Sequence, residues 1–579
     1  MCGENKIMRK LKLMVATVLV VALRVSYLDA QASKTTNRSE ASAVHADPQK
    51  IRAHVKFLSS DLLEGRGTGQ RGGDVAAEYI ATQLALYGLK RAGDQGTYFQ
   101  EVPMVGVKTL DETAFHLASG FETIKLKNLE DFVTNNESQT ETAYIDAPIV
   151  FVGYGINAPE YDWDDYKGTD LKGKAALLFV NEPASDDPKF FKGKALTYYG
   201  RWTYKFEETA RRGAVATLII HRPDLASYGW EVVRNSWGKE RSYLKIDATP
   251  KLQAASWIQF EVAKKLVAMG GLDLDKLFEQ SQSHDFKPIE LPVRLQAHVA
   301  SQLRPFVSRN VLAALPSRGP KSQEAVLYTA HYDHLGIDPD MKGHNIYNGA
   351  VDNATGCGVL LELARLWSES PSAVERTILF AAVTAEEQGL LGSEYLAKHS
   401  PVPPGKISLD LNYDALAPIG DPEEVEVSGA ERTTFYSTVE AKAKALGLTI
   451  RPDPRPEAGY YYRSDHFSLA RAGIPSFSIS EGLKFKGHDA AWGETQERDY
   501  VEHRYHQPTD QYMPQMDFTG VAKLATFAYE LGMQAALQLN LVGWLPGDEF
   551  EAERKRSQAL DRRPSQPPPP RRKIKPHKP

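Results

Sequence analysis

Cysteine is almost missing from this 579-residue chain, which has only Cys2 and Cys357. A disulfide framework is thereby excluded, and stability has to come from a large hydrophobic core. Long apolar runs are scarce as well. The best candidate, Leu13 to Leu23, falls short of the roughly 20 residues that span a bilayer. Positive charge is also in deficit: 69 Lys and Arg stand against 74 Asp and Glu, a net charge of −5. Without residues 1–32 the net charge is −8, and without residues 551–579 as well it is about −15. A body of that sign is not built to bind nucleic acid.

What is present reads as ordinary globular protein, with 42% hydrophobic residues and a length that one core does not usually organise. Two domains, or one interrupted by another, are expected. Lys6, Arg9, Lys10 and Lys12 precede the apolar run, and Ala30-Gln31-Ala32 offers a small-residue cleavage site. Residues 1–32 therefore read as a secretory signal, which predicts a secreted or periplasmic protein without a membrane span after cleavage. Cys357 then remains alone, read as a buried structural thiol. At the other end, Pro567 to Pro570 among scattered Lys and Arg predict a disordered tail over 551–579.

Between these ends the texture changes twice. Helices are predicted near Ile51 to Leu58 and Gly73 to Tyr87, flanking the glycine-rich turn Gly65-Arg66-Gly67-Thr68-Gly69, whose spacing fits neither a dinucleotide nor a P-loop fingerprint. From about 125 to 295 short β-rich runs dominate, including Ile149 to Tyr154, Ala175 to Val180 and Ala216 to Ile220, with a helix at Phe206 to Arg212. From about 303 to 545 apolar strands alternate with amphipathic helices. Strands are predicted at Ala325 to Ala330, Thr377 to Val383, Ile407 to Tyr413 and Ile474 to Ser480, and helices at Gly358 to Trp367 and Thr433 to Leu446. That alternation predicts an α/β sheet covered by helices on both faces, with ligands at the carboxyl ends of its strands.

Chemistry-bearing residues gather at those strand ends. His331-Tyr332-Asp333-His334 follows the strand ending at Ala330, Glu386-Glu387 follows the strand ending at Val383, and Asp414 follows the strand ending at Tyr413. Asp352 lies in a turn that opens a helix, and His506 lies in Tyr505-His506-Gln507-Pro508. Two adjacent carboxylates repel each other unless their tasks are separated. A cation separates them, one carboxylate ligating it while its neighbour stays free to accept a proton. Imidazole mixed with carboxylate suits zinc and its neighbours better than calcium or magnesium.

These motifs resemble the M28 family of zinc aminopeptidases, across nearly the whole mature chain. The resemblance implies a three-layer α/β/α sandwich with a mostly parallel central sheet, like other zinc exopeptidases, formed by residues 45–118 and 303–545. The β-rich stretch 125–295, with Gly153-Tyr154-Gly155 and Asp170-Leu171-Lys172-Gly173-Lys174, resembles an inserted protease-associated domain. By the same resemblance, two Zn2+ or similar divalent ions are implied, with His331 and Asp414 on one, Glu387 and His506 on the other, and Asp352 bridging. Glu386 is implied as general base, Tyr505 as donor to the tetrahedral oxyanion, and Asp333 as acceptor of the second ring N–H of His331. A cis bond is implied between Asp352 and Asn353. Arg463 and Asp465 resemble the substrate-side loop and would help hold the end of the peptide substrate. His334, His344, His466, His488 and His503 receive no role. The implied reaction is removal of N-terminal residues from peptides. Its rivals are a carboxypeptidase trimming acidic C-terminal residues, a single-zinc glutaminyl cyclase, and a receptor-like binding module without catalysis.

Overall fold

The computed structural model describes residues 44–226, 228–245, 250–370 and 374–561. The expected signal over 1–32 and the Pro-rich part of the expected tail lie outside the described residues. Among those described, no helix is long and apolar enough to cross a membrane.

Helices α1 (Pro48–Leu58) and α2 (Arg71–Leu86) come first. Asp47 caps α1, its carboxylate accepting the Gln49 N–H, and Pro48 occupies the first turn, where no backbone donor is needed. Strand β1 (Phe99–Thr109) leads into a β-rich region that holds β2 (Ala114–Ser119), β3 (Thr142–Phe151), β4 (Ala175–Phe179), α3 (Trp202–Arg211), β5 (Ala216–His221), β6 (Arg241–Leu244) and β7 (Ala254–Gln259). The chain returns through the long strand β8 (Ile289–Leu315) and continues with β9 (Lys321–His331), α4 (Gly356–Glu369), β10 (Arg376–Val383), β11 (Ile407–Asn412) and β12 (Glu424–Ser428). It ends with α5 (His466–Arg471), β13 (Ser476–Glu481), α6 (Ala490–His503), α7 (Thr519–Leu537) and α8 (Glu551–Asp561).

The larger sheet runs β6-β1-β8-β10-β9-β11-β13-β12. Strands β10, β9, β11 and β13 are mutually parallel, and the flanking pairs are antiparallel. Its central strands are buried along their length, as a sheet covered on both faces requires. Successive side chains point to opposite faces. Leu327, Leu379 and Ile407 pack with Leu396 and with Leu469 of α5. Tyr328 faces the other way: its ring stacks on Phe380, its hydroxyl accepts from Trp367 Nε1 of α4, and it donates to the Ala528 carbonyl of α7. The expected three-layer arrangement follows from that division.

The β-rich region forms a second sheet, β2-β8-β3-β4-β5-β7, in which β3, β4, β5 and β7 are parallel. Here β8 alternates, burying Leu291, Val293, Leu295, Ala297 and Val299, whereas its far end is buried at every position from Val311 to Ala313. One strand thus belongs to both sheets. Two boundaries differ from expectation. Strand β2 pairs within the second sheet, so the crossover falls between Thr109 and Ala114 and not at 118, while β6, inside the expected insert, pairs with β1. Residues 551–561 are helical, correcting the expectation of a disordered tail from 551. Buried Arg554 anchors that helix, donating to the carbonyls of Pro404 and Val542 at 3.0 Å each.

Candidate metal centre

Three parallel strands deliver the candidate ligands. His331 ends β9, Glu386 and Glu387 follow β10, and Asp414 follows β11, which is where an open parallel sheet presents ligands. The residues at the turns, Ala385 and Ala415, take left-handed φ values of 57° and 55°, as does His506 at 56°. Such values bend the chain sharply just past each strand. Asp352 reaches the same spot from the loop before α4, and the Asp352–Asn353 bond is cis, as expected.

Two clusters result. In the first, His331 Nε2 lies 3.3 Å from Asp352 Oδ1 and 3.1 Å from Asp414 Oδ1. In the second, His506 Nε2 lies 3.2 Å from both Asp352 Oδ2 and Glu387 Oε2. Asp352 therefore belongs to both, with one oxygen toward each, which is the placement expected of a bridging carboxylate. His334 joins the second cluster, its Nδ1 2.6 Å from Glu387 Oε1, and His334, Asp352 and Glu387 by themselves bring ligand atoms within 4.8 Å of one another. Sequence reasoning gave His334 no role. The signal available was its position three residues after His331 in the same strand-end loop.

The electrostatics test whether divalent cations fit. Burial alone would lower the basicity of His331, yet the charges of Asp414 and Glu386 hold it well above its usual value. His506 is raised to about 10 against its burial by hydrogen bonds with Asp352 and Glu387. Glu387 is pulled down to about 2, against burial and the charge of Asp352, by the hydrogen bonds of His334 and His506. Without a cation the carboxylates draw positive charge from protonated histidines, and mixed imidazole and carboxylate donors suit a zinc-type ion in place of those protons. Glu386 differs from its neighbour: burial, with Asp414 and Glu387 behind it, raises it well above the ordinary range despite His331. Adjacent in sequence, the two glutamates are driven apart in affinity for a proton.

Supporting contacts come from far along the chain. Arg66, buried in the glycine-rich turn, donates to the carbonyls of Tyr332, Leu58, Asn348 and Gly349 at 2.6–2.8 Å, tying together the loops that carry His331 and Asp352. Asp510 accepts the backbone N–H groups of Val351 and Asp352 at 3.1 Å. Asp333 is placed otherwise than expected. His331 Nδ1 meets the Asp333 backbone carbonyl at 3.1 Å, while the Asp333 carboxylate accepts from Thr68 Oγ1 at 2.8 Å and from the Glu386 N–H at 3.2 Å. The carboxylate is turned to the Glu386 loop because the carbonyl already satisfies the ring. Cys357 is buried and donates to the His331 carbonyl, and burial pushes its thiol up to about 12, as fits a structural cysteine.

The clusters open into a cleft of about 1900 Å³ that both sheets help to line, with Tyr505 stacked on His506, ring centres 4.0 Å apart. Burial and the nearby carboxylates raise the Tyr505 hydroxyl, which keeps it a proton donor. Tyr500, on α6, was not singled out from sequence; among the described residues its buried hydroxyl has no hydrogen-bond partner, and it feels the charges of Asp510, Asp352 and Asp414. Arg463 lines the cleft. Asp465 does not: it is fully buried at the start of α5, which corrects its expected contact with substrate.

Residues 310–530 match the family profile described as peptidase family M28. That match covers less than half of the chain, and within it fall all the candidate metal-cluster residues named above. Aminopeptidase YwaD of Bacillus subtilis (strain 168) is 29% identical over 205 residues, 35% of this chain and 39% of that protein. A probable zinc metalloprotease of Pyrenophora teres f. teres (strain 0-1) is 47% identical over 70 residues, 12% of this chain and 14% of that protein. The chain thus spans well under two thirds of the length of these curated relatives. Among solved structures, an aminopeptidase from Aneurinibacillus sp. strain AM-1 aligns with 86% of this chain and 96% of its own at 19% identity, with a TM-score of 0.46. The matched segment begins on β8 and ends on α7, so the β-rich region lies outside it.

Proposed function

We propose that this chain is an exported two-metal aminopeptidase acting on peptides. The observation that carries this reading is Asp352, which points one carboxylate oxygen at each of two His-and-carboxylate clusters. His331 and Asp414 would hold one ion and Glu387 and His506 the other, with His334 close enough to the second to ligate it or to orient Glu387. When bound, two zinc-type ions polarise the scissile carbonyl and make the attacking water more acidic.

The rest of the chemistry belongs to the chain. Glu386, whose affinity for a proton is raised by burial, takes the proton from water and delivers it to the leaving amine. Tyr505 donates its hydroxyl hydrogen to the oxyanion that develops on the carbonyl. The acidic cluster attracts a free α-amino group and so favours cleavage from the N-terminus. The signal-like sequence at residues 1–32 supports export, and the β-rich second sheet has the place in the chain of a protease-associated insert that shapes access to the cleft.

Metal analysis of the purified protein, with hydrolysis assays on free and N-acetylated peptides, tests the reading. About two zinc ions per chain and loss of turnover on acetylation are expected. Cleavage indifferent to acetylation would favour the carboxypeptidase alternative, and absence of metal would leave neither.

A further inference from the structure

The two halves of the molecule meet around a quartet of charges. Lys192 comes from the β-rich region, Arg432 from the turn after β12, and Asp548 and Glu549 from the turn before α8. Arg432 grips Asp548 with two hydrogen bonds, at 2.7 Å and 2.9 Å. Glu549 does more. Its Oε1 accepts from Arg432 at 2.7 Å, from Lys192 at 3.2 Å and from the Tyr462 hydroxyl at 2.7 Å, while Oε2 accepts the Tyr198 N–H at 3.3 Å. The Glu549 side chain is only 4% exposed. Against that burial, Lys192 and Arg432 pull it down to about 2, which keeps it ionised near neutral pH.

Each group that Glu549 holds leads to a wall of the cleft. Tyr462 lines it together with Tyr460 and Arg463, on the side of the candidate ligands. Tyr198 leads into Arg201, Trp202 and Thr203, which line it from the β-rich region. The two walls touch behind the cleft, where the Tyr198 ring lies 4.9 Å from that of Phe467 and 6.3 Å from that of Tyr462, and the Leu196 N–H donates to the Pro456 carbonyl at 3.0 Å. Phe191 and Lys192 both take left-handed φ values, 46° and 55°, a conformation that persists where the surroundings enforce it.

The charge count makes Glu549 the keystone. Among the described residues neither Lys192 nor Arg432 has another carboxylate within 4 Å, so two cations face two anions. Without the charge of Glu549, one cation from each half would confront the single carboxylate of Asp548 in a poorly solvated place, and attraction across the boundary would turn toward repulsion.

We propose that Glu549 is a positioning residue which, by bridging Lys192 and Arg432 and holding Tyr462 and Tyr198, sets the spacing of the two cleft walls and with it the fit of a peptide substrate. It acts through those side chains and touches no substrate itself. Residues 548–549 lie beyond the segment that matches the family profile. The inference rests on the peptidase reading above and adds how the cleft is held to its substrate.

Glu549→Gln keeps the shape and removes the charge. In the zinc-loaded full chain, KM for tetra-alanine should rise roughly tenfold while kcat stays within about threefold of wild type, the mark of lost binding shared by ground and transition states. Adding Lys192→Met removes the surplus cation and should return KM to within about threefold of wild type, a rescue that general destabilisation does not produce. Spin labels on Lys265→Cys and Lys444→Cys, exposed on the helices Phe260–Met269 and Tyr436–Ala445, read the spacing of the halves without substrate. Cys357 is buried and Cys2→Ser removes the other thiol. The distance distribution should lengthen or broaden in Glu549→Gln and recover when Lys192→Met is added. An unmoved distribution, an unchanged KM, or a double variant no better than the single one overturns the proposal. If the wild type does not cleave tetra-alanine, the peptidase reading fails, and the label distances still decide whether Glu549 spaces the halves.

Discussion

Replacing Arg66 by Met should damage the metal centre without touching a ligand. Arg66 is 1% exposed, and its guanidinium donates to four backbone carbonyls, on Leu58, Tyr332, Asn348 and Gly349. Methionine fills much of the volume but offers no donor. Each buried carbonyl left unpaired costs about 1–3 kcal/mol. Against this stands the expense of burying the charge, visible in the lowered basicity of Arg66, which the carboxylates of Asp352, Asp510 and Asp333 offset only in part. The net loss should be about 3–5 kcal/mol, the cost of several unpaired carbonyls less the relief of the buried charge. Lysine should do little better, since one ammonium does not reproduce a planar fork of donors. Because Tyr332 and Asn348–Gly349 adjoin His331 and Asp352, zinc affinity should fall about 10–100-fold, as for other residues that orient ligands. Urea unfolding of chelator-treated protein measures the first effect free of metal stabilisation, and a zinc titration measures the second. A change below about 1 kcal/mol with unaltered zinc affinity would refute the reasoning.

Glu386→Ala should keep its zinc while turnover falls by about 10²–10⁴-fold, and full activity in a metal-replete sample would remove Glu386 from the proton path. Asp352→Ala should lose both ions, read as zinc content per chain; retention of both would deny the bridge. Zinc binding to the chelated protein near neutral pH should release protons, because His331 and His506 are then protonated and ligation requires them neutral; calorimetry in buffers of different ionisation enthalpy detects this. The sign for stability follows: with His506 raised from 6.5 to about 10, its contribution to the metal-free fold is complete below pH 6.5 and disappears as pH rises to about 10. Gly532→Ala in α7 would set a Cβ 1.8 Å from the Tyr328 hydroxyl. Overpacking of about 1–3 kcal/mol should outweigh the roughly 1 kcal/mol gained in helix propensity, and Tyr328→Phe should recover much of the loss in a thermal melt.

The strands that carry ligands were legible because each is an uninterrupted apolar run ending at a polar residue, so Ala330-His331 and Val383-Thr384 mark both the element and the site. The bridging role of Asp352 is implied by resemblance alone; what the structure adds is that one of its oxygens lies beside His331 and the other beside His506. What stayed hidden depends on contacts between distant segments. Arg66 looked like part of a glycine-rich turn, since nothing local reveals that three of its four carbonyl partners are 266 to 283 residues away. Asp510 was hidden for the same reason, as it is defined by what it faces, whereas His334 stood in the strand-end loop of His331 and was passed over. Asp465 was misread because a polar motif in a loop looks accessible until α5 buries it. The tail was misread through composition, with proline and basic residues further on masking an amphipathic turn anchored by Arg554.

Strand β8 has a mechanical implication. It is the edge-to-edge seam of the molecule, pairing with β2 and β3 at one end and with β1 and β10 at the other. A rigid ribbon of this kind transmits tilt and leaves little slack for the two halves to swing apart, all the more because β6 threads back to zip onto β1. Excising 110–300 to obtain a minimal peptidase would tear out half of a continuous strand, so surgery on this architecture should trim loops and keep the seam whole.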